Sequence, residues 1–294
     1  MLSVSLTPKV SLFQGVIYLR MPFSQISIQD RTGLLFFQAM NGAFGSAINT
    51  STAIPAQLQV VSRERTAGMY KILPFYAATF VALIPLDTLP VLFNASAIYF
   101  VANLRHGAEH FFIYAGLLCL EYFVGVSLGM LISALIKNVE MAPRVAPAFV
   151  ILFLMFSGFF LNDESVPVYM VWLKHISFIK YTFQGLCVNE FRGATFEEGC
   201  AAEPDGGNGT AAANYCATGD DVLEQLSFDS VELWFVVMVR ASLCPAQLPQ
   251  LRGLTGRACA QMNLVIGFSF HILAFLILSA REVKFLPLLP SKSA

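Results

Sequence analysis

The sequence predicts an all-α membrane protein of about six transmembrane helices, and three observations carry that prediction. Hydrophobic residues make up 56% of the 294 and charged residues only 13%, whereas soluble domains carry roughly 25% charge to coat a water-facing surface. Several apolar runs approach the ~20 residues that cross a bilayer as helix. The runs are long and unbroken, where a membrane β-barrel would show segments of ~10 residues alternating in polarity. Mean hydropathy is +0.65, net charge −1 and pI about 6.4, so the chain offers no basic footprint for nucleic acid. Its 27 phenylalanines suit helix faces turned to lipid or to a lipophilic ligand.

A short apolar run at 10–19 lacks both the basic start and the small-residue cleavage site of a signal peptide and reads as the end of a partial first helix. The second span is expected at Thr32–Ile54, the third at Ile72–Leu104, the fourth at Phe111–Ile136, the fifth at Val145–Leu161 and the last at Met262–Ala280. Pro74, Pro85 and Pro90 fall in the third, where proline kinks a helix and leaves carbonyls for neighbouring helices to satisfy. Val166–Phe191, with Lys174, His175 and Lys180, is too polar for a plain lipid-facing span and reads as a re-entrant or interfacial helix. Between the spans lie a mixed-charge stretch at 57–71, a polar Gly- and Ala-rich loop at 192–230, and an Arg- and Pro-rich insert at 240–261. The insert reads either as a real loop or as a retained-intron or gene-model artefact. No internal repeat is evident.

Basic residues orient the chain, because cytoplasmic loops collect Lys and Arg. With 57–71 on the cytoplasmic side, that side holds eight Lys/Arg against six on the other; the insert, if counted, would reverse the bias. The loop at 192–230 then lies outside, where an oxidising compartment permits a disulfide. It carries Cys200, Cys216 and, between them, the glycosylation sequon at Asn208. Asp87 and Glu121 fall inside spans, where a charge is expensive and usually faces the bundle interior. They read as a polar relay, a substrate contact, structural hydrogen bonds or neutral protonated acids. His271 reads as a packed histidine. The four histidines show no metal-ligand spacing, so no metal site is expected, and no catalytic cluster is visible.

Several motifs in order resemble the transmembrane domain of the G (White) subfamily of ABC transporters. They are IQDRTGLLFF at Ile28–Phe37, RERTAGMYK at Arg63–Lys71, Pro85 with Pro90, FSGFFLN at Phe156–Asn162 and FIKYTFQGLCVNEFRG at Phe178–Gly193. The resemblance covers about Gln14–Ser230 and resumes near Asn263. It implies that residues 1–294 form one ABC-2 type transmembrane domain, an exporter fold with a cytoplasmic coupling helix and one large extracellular loop.

The same resemblance implies the roles of particular residues. Arg63, Glu64 and Arg65 would couple to an ATPase domain. Asn41, Phe44, Ile151 and Leu154 would line a substrate cavity between two protomers. Phe159 and Phe160 stand where many members have leucines closing the outward exit. Cys200 and Cys216 match an intra-loop bridge. No G-x-x-x-x-G-K-[ST] loop to cradle phosphates occurs in the chain, so no cofactor is expected on it, and ATP with Mg would act through a nucleotide-binding domain supplied in cis or in trans. The expected partners are membrane lipid and a homo- or heterodimeric half-transporter of the same subfamily, in what is expected to be the plasma membrane. The expected role is the membrane part of an exporter of lipids, sterols or xenobiotics. The alternative is a truncated, non-transporting or regulatory subunit.

Overall fold

A computed structural model describes residues 13–67, 69–70, 72–136, 138–160, 168–196, 218–226 and 255–280, the side chains of a few of these excepted. The described chain is helical, with no strand among the described residues. A short helical segment at 13–17 (α1) leads through a turn to α2, Ser27–Thr66. Then come α3, Ile72–Val101, α4, Ala108–Leu135, and α5, Ala142–Met155. A 3-10 turn at Val168–Met170 precedes α6, Val171–Ile176, and α7, Phe178–Phe191. The last two are α8, Gly219–Gln225, and α9, Thr255–Ala280.

Among the described residues three stretches are long and apolar enough to cross a membrane by length and composition: Ile72–Val101, Ala108–Leu135 and Gln261–Ala280. Helix α5 is apolar but only 14 residues long. Helix α2 is interrupted by Gln38, Asn41, Ser46, Thr50 and Ser51, of which all but Asn41 are buried. At 40 residues it would be roughly 60 Å long, about twice the hydrocarbon thickness of a bilayer. Its last turns therefore stand outside the apolar layer.

Helix α4 is the hub, packing against α2, α3, α7 and α9. The α2–α4 seam is close because small residues meet across it. A Cβ on Gly129 would lie 2.7 Å from Thr50 Cβ and 2.9 Å from the Ala47 carbonyl, and one on Gly125 would collide with Ser46. Small residues that let backbones approach are the usual means of helix association in lipid, where the hydrophobic effect gives no drive.

The segment expected to lie re-entrant or at the interface is broken at Ser177, whose extended backbone separates α6 from α7 and whose hydroxyl donates to the Phe153 carbonyl at 2.8 Å. Every residue of α7 except Asn189 is buried, so α7 is a core element held among α2, α4, α5 and α9. Two expected boundaries move. Of the stretch 57–71, expected to be the coupling segment, residues 57–66 continue α2 without a break. The last helix starts at Thr255, inside the stretch assigned to the insert, and Cys259 of that stretch is buried beside Gly185 of α7. Residues 240–254 lie outside the described residues.

Candidate functional site

The middle of α2 carries the polar face expected to meet a ligand. Asn41 and Phe44 lie half-buried there, Phe44 packing against the main core and the Asn41 amide nitrogen finding no hydrogen-bond partner among the described residues. Helix α5, which packs on α2, places its two candidates differently. Leu154 is turned into the core with Val150 and Phe153, while Ile151 is 49% exposed. With Phe149, Leu152 and Met155, Ile151 forms an apolar face that this chain leaves open.

Just past α5 the chain turns at Gly158, whose φ of +86° lies in the left-handed region that glycine tolerates, and delivers Phe159 and Phe160. The Phe159 ring stacks on Phe36 of α2, centroids 4.2 Å apart, and Phe160 meets Phe36 edge-on at 5.4 Å. Phe183 of α7 is edge-on to both Phe36 and Phe159, at 5.5 and 5.9 Å. Offset-stacked and edge-to-face pairs at these separations are attractive beyond their burial. The four rings join α2, α7 and the turn after α5 into one closed aromatic cluster. Phe36 and Phe183 were not singled out in the sequence, although each sits within one of the motifs quoted there, Ile28–Phe37 and Phe178–Gly193.

One turn and a half from Phe36, at the start of α2, is a group that sequence reasoning passed over. Arg31 is fully buried and ion-paired through Nη1 with Glu190 near the end of α7, itself 3% exposed. Its Nη2 donates to the carbonyls of Met21 and Asn103 at 3.0 and 3.1 Å and, longer, to that of Pro22. The guanidinium lies 4.0 Å above the Phe23 ring. Asn103 has a φ of +57°, a left-handed conformation that asparagine adopts more readily than most residues. The second Glu190 oxygen accepts the Arg105 backbone N–H at 3.1 Å. The planar fork of arginine suits such multiple acceptance. Arg31 and Glu190 each sit inside a quoted motif, IQDRTGLLFF and FIKYTFQGLCVNEFRG, but nothing in the sequence signals that the two meet.

At the other end of α2, Arg63 is exposed on a cleft of about 540 Å³ lined also by Pro55, Leu58, Gln59, Ser62, Ser133 and Ile136. Glu64 accepts the Tyr70 hydroxyl and helps fold the chain back toward α3. The side chains of Arg65 and Asp87 lie outside the described residues. Glu121 is fully buried against Gly42, with neither carboxyl oxygen hydrogen-bonded among the described residues. His271 is packed among Phe80 and Phe123; its Nδ1 meets the Tyr76 hydroxyl at 2.7 Å, while Nε2 has no partner among the described residues. Cys200, Asn208 and Cys216 lie outside the described residues. Among the described residues no cluster of His, Cys, Asp or Glu could hold a metal.

A long-helix bundle with a close small-residue seam, a buried polar face and an aromatic closure defines a multi-spanning α-helical membrane protein. Residues 3–191 match the ABC-2 type transporter family. The chain is 32% identical over 215 residues to ABC transporter G family member 7 of Arabidopsis thaliana, covering 73% of this chain and 28% of that protein. It is 32% identical over 229 residues to Protein white of Drosophila melanogaster, covering 77% and 32%. It is 26% identical over 178 residues to the ABC transporter ATP-binding protein/permease wht-1 of Caenorhabditis elegans, covering 60% and 26%. The chain belongs to the ABC-2 type transporters and is a transmembrane domain of the G (White) kind. It spans about a third or less of the length of these relatives.

Proposed function

We propose that this chain is the membrane-spanning part of an ATP-driven exporter of lipophilic molecules, with lipids, sterols and xenobiotics as the substrate classes. The observation that carries this reading is the family match over residues 3–191; one similar protein is itself named an ATP-binding protein/permease. The geometry agrees with it. Asn41 offers an amide nitrogen without a partner among the described residues and Phe44 a ring on one helix face, the combination that binds a flat lipophile carrying a polar group. The open apolar face of α5, with Phe149, Ile151, Leu152 and Met155, is suited to a second half-transporter, identical or related, which would close the cavity on a dimer axis. Phe159 and Phe160 close its exit. The end of α2, with Arg63 and Glu64, receives the movement of a nucleotide-binding domain, in cis or in trans, that binds ATP and Mg. A continuous helix from Ser27 to Thr66 is a stiff lever for that movement. In this orientation the loop 192–230, with a Cys200–Cys216 bridge and a glycan at Asn208, lies outside the cell.

The test is ATP-dependent efflux of a fluorescent lipophile from vesicles holding the protein with its ATPase domain, together with ATP hydrolysis by the 294-residue chain alone. The chain alone is expected to hydrolyse no ATP above background, and efflux should fall at least about ten-fold in Asn41→Leu with Phe44→Ala, each polar or aromatic contact contributing roughly 1 kcal/mol. Intrinsic turnover by the chain would refute the division of labour. A complex that hydrolyses ATP without moving any lipophile would favour a non-transporting regulatory subunit.

A further inference from the structure

We propose that Arg31 and Glu190 are positioning residues for export, a latch between α2 and α7 that sets the aromatic closure beneath it. The inference rests on the reading of Phe159 and Phe160 as the exit.

Two of the contacts between helices α2 and α7 concern the closure. One is the Arg31–Glu190 ion pair. The other is the edge-on contact of Phe36 with Phe183. On α2 Phe36 follows Arg31 by five residues, and on α7 Phe183 precedes Glu190 by seven. The two contacts are therefore separated by roughly 7–11 Å along helices that run in opposite directions. Phe36 is also the ring on which Phe159 stacks and which Phe160 meets. Spreading α2 from α7 at the level of the ion pair pulls Phe36 from Phe183 and opens the four-ring cluster. Keeping the pair together keeps the cluster shut.

The pair is built to act as a unit and not to slide. Arg31 is fully buried, with one guanidinium nitrogen on Glu190 and another on backbone carbonyls from two separate connections, those after α1 and after α3. Glu190 is held from its other side by the Arg105 N–H. A charge taken from this setting into an apolar one without its partner is strongly disfavoured, so the contact is either fully made or broken into water. The two ends of the outer loop join the same structure. The Gln25 amide donates to the Phe196 carbonyl at 2.6 Å, Phe196 stacks on Phe23 under the guanidinium, and the Gly219 N–H of α8 donates to the Ala194 carbonyl at 3.0 Å. The latch is thus where the loop beyond α7, the start of α2 and the turn after α3 meet.

The experiment places a cysteine at Asn41, below the aromatic cluster, in the full-length transporter in sealed vesicles. Its labelling by a membrane-impermeant maleimide added from the Arg31 side is read by peptide mapping, which separates it from the native cysteines. Ser133→Cys, on α4 near the Arg63 cleft, is the control. Glu190→Gln should raise labelling at the Asn41 position at least about ten-fold, because it leaves Arg31 a buried charge without its counter-charge. The control should stay unchanged, and Glu190→Asp, which keeps the charge, should fall between. The turnover number for efflux should drop with little change in KM, since no substrate contact is altered. If Glu190→Gln does not fold, the test is read from Glu190→Asp alone, which keeps the charge but draws it back from Arg31 by one methylene, and a smaller rise at the Asn41 position is still expected. Unchanged labelling in a folded variant, or an equal rise at the control, overturns the latch. If a membrane-permeant maleimide also fails to label the Asn41 position in every variant, the cavity reading of the preceding subsection fails and the latch falls with it.

Discussion

Helices α3 and α4 are near equals in length, 30 and 28 residues, and both are strongly apolar. Their fates differ. In the most apolar stretch of each, 72% of α4 residues are buried inside the bundle and only 7% of α3 residues. The difference lies in the kind of apolar residue. Helix α4 lines up Gly125, Gly129 and Ser133 at four-residue spacing, so that one edge is nearly flat and α2 can settle on it. Helix α3 carries prolines and outward-facing bulk such as Val81, Leu89, Phe93 and Phe100. In lipid, apolarity admits a helix to the membrane, and shape decides what it touches.

The sharpest way to break this comparison is to give α4 the bulk of α3. Gly129→Leu would drive a side chain into Thr50 and the Ala47 carbonyl, both already within 3 Å of where a Cβ would sit. We expect a loss of about 3 kcal/mol or more, the upper range of overpacking, seen as a large drop in thermal unfolding temperature in detergent. The matched change on α3, Val81→Leu at a position 67% exposed, should stay within about 0.5 kcal/mol. Equal costs would mean that the flat edge of α4 is incidental.

The same contrast explains what was legible in the sequence. Length and hydropathy sufficed for the third, fourth and last spans, and ordered motifs sufficed for the family. Three features escaped. Polar residues in α2, from Gln38 to Ser51, look like interruptions along the chain but are mostly interior in the bundle, where partner helices and not lipid surround them. Lys174 and Lys180 give the 166–191 segment its polar look in the sequence, and both are buried, as is nearly all of α7, because burial there is set by neighbours far away in sequence. Arg31 and Glu190 stand 159 residues apart, a distance at which a single sequence offers charge and position but no pairing. For the candidate site, the motif positions of Phe159 and Phe160 were readable, whereas their partners Phe36 and Phe183 required three elements to be assembled.

A milder test concerns the way α7 is held among its neighbours. Asn263 of α9 donates to the Thr182 hydroxyl of α7 at 2.8 Å, both side chains being buried. Interhelical hydrogen bonds in membranes average about 0.6 kcal/mol, below the expectation for an apolar medium. Thr182→Val, nearly the same shape, should therefore cost about 0.5–1 kcal/mol and leave α7 in place. A cost like that of Gly129→Leu would show that polar pairing, and not small-residue packing, holds this bundle together.

The smallest effect is expected at α8, outside the bundle. This seven-residue helix is fixed at its start by a capping box, in which the Asp221 N–H donates to the Thr218 hydroxyl oxygen and the Asp221 carboxylate accepts the Thr218 N–H at 2.7 Å. The two donors of Thr218, its backbone N–H and its hydroxyl, hold the Asp221 carboxyl below the usual carboxylate range. A lowered value means that the folded form favours the ionised group. The stabilisation is therefore complete above the ordinary aspartate value of about 3.9 and fades as pH falls from there through the lowered one. Hydrogen exchange at Val222 and Leu223, corrected for intrinsic rate, should show constant protection from neutral pH down to about 5 and a few-fold loss below about 4. Thr218→Ala should loosen the helix by a similar factor at neutral pH and remove the step. Because α8 is a seven-residue helix that meets the core through a few side chains at its edge, Val222, Leu223 and the capping Leu226, neither change should shift the unfolding of the bundle by more than a small amount. A shared shift would mean that the loop end and the helices fold as one unit, and the contrast between buried seam and exposed surface would then extend to the whole outer face.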